Sequence, residues 1–115
     1  MVEKLTFWLL SIFEDDPLPD EINVLLFNVK TNGKYKYLEV KGYENFICDN
    51  SNSFFPLEAQ FFDCLELAKL DDKKFYLRSK YIIEEAFSNN ELKYILKKIK
   101  IYIRMNNSLE YLFTV

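Results

Sequence analysis

Ile22-Asn23-Val24-Leu25-Leu26-Phe27-Asn28-Val29-Lys30-Thr31-Asn32-Gly33-Lys34-Tyr35-Lys36-Tyr37-Leu38-Glu39-Val40-Lys41 is the stretch that decides how this chain folds. Residues 22–30 form a compact apolar run, too short and too β-branched for a helix, and read as a buried strand. Asn32-Gly33 tolerates positive φ at both turn positions, as a type I′ turn requires. Lys34 to Lys41 then alternates, with Tyr35, Tyr37 and, across a bulge, Val40 pointing inward. The whole stretch predicts a β-hairpin.

Working outward, a second hairpin is expected at the far end. Ile99, Ile101, Ile103 and Met105 alternate with Lys100, Tyr102 and Arg104, and Asn106-Asn107-Ser108 turns the chain into Leu109–Val115. The same residues as a helix to Arg104 would align Lys93, Lys97, Lys100 and Arg104 as a basic stripe. Isoleucine at alternate positions suits a pleat and favours the hairpin.

Between and before the hairpins the periodicity is helical. Val2, Leu5, Leu9, Ile12 and Phe13 make one stripe, with Trp8 beside it, over residues 2–14. Asp15-Asp16-Pro17-Leu18-Pro19-Asp20 breaks that helix. Pro56 suits the first turn of a helix to about Leu70, with Leu57, Phe61, Phe62, Leu65 and Ala68 buried and Cys64 beside them. Asp71-Asp72-Lys73-Lys74 closes that segment. Another helix spans about residues 75–87 through Leu77, Tyr81, Ile82, Ala86 and Phe87. Ser88-Asn89-Asn90-Glu91 reads as a capping box opening a short helix with Leu92, Ile95 and Leu96. The expected fold is one α+β domain over residues 1–115. Its antiparallel sheet has about four strands, in two hairpins, with three to four helices packed on one face.

Composition narrows the chemistry. The 115 residues include no histidine and only two glycines, while 50% are hydrophobic and 17% aromatic. Without histidine, Ser-His-Asp, Cys-His and His-based zinc chemistry are excluded. Two glycines do not build a phosphate-cradling loop. Cys48 and Cys64 form no CxxC and read as free thiols of a reducing cytosol. Leu5–Phe13 has the length of a short signal core, but Glu3 precedes it and Glu14-Asp15-Asp16-Pro17 follows, so neither a secretion signal nor a membrane span is expected.

The formal charge is −3 and the pI about 5.0. The acidic residues concentrate before Lys73 and the basic ones after it. An acidic first part disfavours nucleic acid and favours a basic protein partner. Asp15-Asp16, Asp20-Glu21, Asp71-Asp72 and Glu84-Glu85 are adjacent pairs, which suit solvated turns and helix ends rather than two carboxyls facing across a cleft. Tyr35, Tyr37, Tyr43 and Tyr102 read as cross-strand packing before base stacking. No catalytic residue, metal or cofactor is expected.

A binding surface fits the composition better. Carboxylates in the turn after the first helix, Asp15, Asp16, Asp20 and Glu21, would steer a basic partner. The loop Asp49–Phe55 offers Asp49, Phe54 and Phe55; the alternative is that both phenylalanines fold under and seal the core.

The first helix, Leu18-Pro19-Asp20-Glu21-Ile22, Phe27-Asn28-Val29 and the terminal Ser108-Leu109-Glu110-Tyr111-Leu112 together resemble small bacterial polymorphic-toxin immunity proteins. The chain departs from that pattern at Asn50-Ser51-Asn52-Ser53-Phe54-Phe55, where an acidic, tryptophan-containing loop is expected, and at Asn106-Asn107. The resemblance implies a non-enzymatic cytoplasmic protein that occludes a toxin's active site. The rival expectations are a homo-oligomer subunit, such as a homodimer using an exposed strand edge, and a small carboxylate-based enzyme.

Overall fold

A computed structural model describes residues 1–45 and 55–115. Within them, helix α1 spans Val2–Asp15 and buries Leu5, Leu9, Ile12 and Phe13, the expected stripe. Asp16 ends it: a residue before proline is pushed out of the α region, and Asp16 sits at φ −137° and ψ 86° ahead of Pro17.

Strands β1 (Val24–Asn32) and β2 (Tyr35–Tyr43) form the first hairpin in unbroken register, from Val24 opposite Tyr43 to Asn32 opposite Tyr35. The turn residues are therefore Gly33-Lys34 rather than Asn32-Gly33. Gly33 has φ 60°, and Lys34 is not among the positive-φ residues, the pattern of a type II′ rather than a type I′ turn. The inward face of β2 changes with it. A one-residue shift moves every side chain to the other face. Leu38 and Val40 enter the core with no bulge, while Tyr35 is exposed and Tyr37 lies on the opposite face.

Residues 56–70 are not a helix. Phe61–Asp63 forms strand β3, paired antiparallel to β2, followed by a single 3-10 turn at Leu65–Leu67. The apolar spacing there alternates on an edge strand: Phe62 and Cys64 are buried, whereas Leu57, Phe61 and Leu65 are exposed. Asp71 does not close a helix but opens one. Its carboxylate accepts the Lys74 N–H at 2.8 Å and caps α2 (Asp72–Ala86). Phe75, Ser79, Ile82, Ile83 and Ala86 form the buried face of α2, and Leu77 and Tyr81 are exposed. The cap of α3 (Asn90–Ile95) is Asn89, which accepts the Leu92 N–H at 3.0 Å; Ser88 instead donates to the Glu85 carbonyl at 2.7 Å.

Strands β4 (Lys100–Met105) and β5 (Ser108–Thr114) form the second hairpin, so residues 100–105 are extended. The described strands join in the order β3-β2-β1-β4-β5. The sheet is mixed rather than antiparallel, because β4 docks parallel to β1, Val24 opposite Lys100 through Val29 opposite Met105. The crossover runs through α2 and α3. Central β1 is buried on both faces, which explains its continuous apolar run. The α+β class holds, with five described strands and three α-helices. The core lies between the helices and Leu25, Phe27, Val29, Leu38, Val40, Ile101 and Ile103 of the sheet. No described helix is long and apolar enough to cross a membrane.

Candidate functional site

The second face of the sheet carries the most organised polar chemistry among the described residues. Strand alternation sends Val24, Leu26 and Asn28 of β1 to this face, and pairing aligns them with neighbours in rows. One row crosses all five strands: Phe61, Glu39, Asn28, Arg104 and Leu109. The next runs Lys41, Leu26, Tyr102, Tyr111. Val24, Leu26 and Tyr43, with Tyr102 packed against them, form a second apolar cluster separate from the main core.

At the centre of the row, Arg104 Nε donates to Asn28 Oδ1 at 2.9 Å, and Asn28 Nδ2 donates to Glu39 Oε1 at 3.5 Å. Lys41 Nζ stands 3.9 Å from the same carboxylate oxygen. Asn28 and Glu39 are both buried, and burial of such groups is tolerable only with partners. Burial pushes the Tyr43 phenol above its ordinary pKa, while the neighbouring Arg104 charge pulls it back. The chain of donors and acceptors thus ties β2, β1 and β4 together below the surface.

Aromatic pairs flank this centre. Tyr37 and Phe61 meet edge to face with centroids 5.4 Å apart, and Tyr102 and Tyr111 sit 5.4 Å apart at 63°. Phe61 and Tyr111 remain 53% and 50% exposed. A cavity of about 380 Å³ opens beside Tyr37 and Phe61, lined also by Tyr35, Lys36 and Asp63. Tyr35, Tyr37 and Phe61 set aromatic edges around this recess, the composition of a protein-contact hot spot, while the buried Lys36 sends its ammonium to the helix side, over the Phe75 ring.

The described residues among those expected to bind fall elsewhere. Asp15, Asp20 and Glu21 are exposed on the connection from α1 to β1. Asp16 is half-buried, and its Oδ2 accepts the Leu57 N–H at 2.7 Å, so it holds two segments together. Phe55 is 1% exposed: it bridges Gly42, stacks on Phe13 with centroids 5.6 Å apart, and seals the core. Asp49 and Phe54, like Cys48, lie outside the described residues. Cys64 is a buried free thiol, and desolvation, with Asp63 nearby, pushes its pKa up to about 12.

Other recesses offer less. A cavity of about 500 Å³ between the α1–β1 connection and the end of α3 holds one carboxylate, Asp20, with Lys97 and Lys98. Among the described residues, no group of three or more His, Cys, Asp or Glu side chains is arranged to hold a metal ion. The sequence reading missed the Glu39–Asn28–Arg104 row. The available signal was Asn28, a lone amide inside an apolar run, which requires a partner on a neighbouring strand. No family model, no curated protein and no solved structure matches the chain.

Proposed function

We propose that this chain is a non-catalytic protein-binding domain that neutralises a bacterial toxin by covering its active site. The observation that carries the reading is the exposed Phe61 held edge to face on the half-buried Tyr37, set beside a recess and backed by a buried polar row. Such aromatics supply contact area on a rigid support at low entropic cost. The exposed Asp15, Asp20 and Glu21 would add steering toward a basic partner without being part of the anchor. The resemblance of helix α1, the first hairpin and the last strand to toxin-immunity proteins points the same way. The protein would act in the cytoplasm, where a toxin-producing cell protects itself, and needs no cofactor.

The test is co-expression with toxin-domain genes lying next to the gene for this chain. Wild type should rescue growth against one of them. Phe61→Ser together with Tyr37→Ser should lose rescue through faster dissociation. Reversal of Asp15, Asp20 and Glu21 to lysine should slow association about tenfold at low salt and much less at high salt. Rescue by no pairing would end the immunity reading. Rescue undiminished by the Phe61 and Tyr37 changes would remove the sheet face from it.

A further inference from the structure

We infer that the outer face of helix α1 is a docking groove for a cationic, amphipathic helix of a partner protein. Leu5, Leu9, Ile12 and Phe13 take α1 into the core. A second stripe of the same helix, Glu3, Phe7, Leu10 and Glu14, recurs at the three- and four-residue spacing of one helix face. Phe7 is 72% exposed. A single exposed phenylalanine is ordinary, but this one stands between two recesses. The first, of about 510 Å³, lies between α1 and the end of α2 and is lined in part by Leu10, Ala86, Glu3 and Glu85. The second, of about 470 Å³, lies between α1 and α3 and is lined in part by Leu10, Ile95, Glu14 and Glu91. Phe7 and Leu10 line both, so the recesses run together along α1.

Charge selects the occupant. Every charged side chain that lines the two recesses is a glutamate, and no lysine or arginine lines either. Glu3, Glu14, Glu85 and Glu91 are all exposed, and among the described residues none of them is in an ion pair. Lys4, the one cation of α1, turns to Glu66 instead. Such a groove repels phosphate, whether of a nucleic acid or of an anionic lipid surface, and attracts ammonium and guanidinium groups. Its apolar floor takes side chains that leave water on docking. Glu3 and Glu14 stand eleven positions apart, about 16 Å along the helix axis. An amphipathic helix in the groove would set apolar residues on either side of the Phe7 ring, and lysines or arginines about three turns apart would reach the two pairs of carboxylates. The groove lies on the helix side of the sheet, and neither Tyr37 nor Phe61 lines it, so the inference stands apart from the proposed anchor.

The experiment is fluorescence anisotropy of a labelled synthetic peptide, about four helical turns long, titrated with the full chain. The peptide carries leucines on one helical face and lysines on the other. A control of the same composition has the leucines scattered round the helix, which keeps the charge and removes the apolar face. The amphipathic peptide should bind about tenfold more tightly than the control. Phe7→Ser should remove that difference, and because Phe7 is exposed the variant should keep the wild-type urea midpoint. Glu14→Gln with Glu91→Gln should weaken binding several-fold at low salt and little at high salt. NMR shifts of wild type supply a readout that needs no variant: Phe7, Leu10 and Ile95 should move on titration while Tyr37 and Phe61 stay. Equal binding of the two peptides, or binding of neither at millimolar concentration, overturns the inference. So does a Phe7→Ser chain that binds as wild type does, or shifts confined to the sheet face. A wild type whose own concentration moves the Phe7, Leu10 and Ile95 shifts overturns it in favour of a second copy in the groove.

Discussion

The Gly42 N–H donates to the Phe55 carbonyl at 2.7 Å, and the absence of a side chain at Gly42 is what lets Phe55 lie there. A Cβ on Gly42 would stand 3.0 Å from both the Phe55 Cβ and the Ile22 Cδ1. Gly33 is the opposite case: nothing lies within 4 Å of a Cβ there, but φ is 60°. Gly42→Ala should therefore cost about 1–3 kcal/mol through overpacking. Gly33→Val should cost about 1–3 kcal/mol through backbone strain alone. Gly33→Asn should recover most of that loss, since asparagine tolerates positive φ. Urea midpoints of the three variants check this. An unchanged midpoint for Gly42→Ala would show that the Phe55 segment yields freely.

Ser79 lies wholly inside the α2 interface, and its Oγ has no hydrogen-bond partner. A buried, unpaired hydroxyl is a cost, and alanine is the better helix former. Ser79→Ala should raise stability by about 1 kcal/mol. A lower melting temperature would show that the hydroxyl is bonded after all.

Glu110 links pH to the α2–β5 clasp. Its hydrogen bonds to Lys80 and then Tyr76 hold the carboxyl below its ordinary range. A depressed folded pKa adds stability that is complete above the unfolded value, about 4.3. That stability is lost as pH falls through the folded value. Tyr76 runs the other way: burial first, then Glu110, pushes its phenol to about 12. Its contribution is complete below the unfolded value of 10.0 and is lost as pH rises toward about 12. Glu110→Gln should flatten the acid limb of the stability profile and bring the Tyr76 titration, followed by tyrosine NMR, back toward its ordinary value. A Tyr76 titration unmoved by the change would show that burial alone sets it.

Asp16 and its neighbours should separate cleanly. Asp16→Ala removes the acceptor for the Leu57 N–H and should cost about 1 kcal/mol. Asp15→Ala and Asp20→Ala, both exposed, should stay within about 0.5 kcal/mol of wild type. Asp16→Asn, which keeps an oxygen acceptor, should lie between. Equal midpoints for Asp15→Ala and Asp16→Ala would show that the Asp16 contact contributes nothing.

Elements whose period is local were legible in the order of residues alone. The stripe of α1, its stop before Pro17, the two hairpins and the buried part of α2 follow from spacing within ten or fifteen residues. Three matters needed the tertiary structure. The inward face of β2 turned on one residue of turn placement, and only pairing with β1 sets that parity. Phe61–Asp63 became a strand because β2 offers it an edge, which no local pattern reveals. The parallel docking of β4 on β1 placed Arg104 beside Asn28, residues 76 positions apart. That contact, and the fate of Phe55 against Gly42, arise from burial shared between distant segments. A single chain read in order carries no record of which of its faces meet.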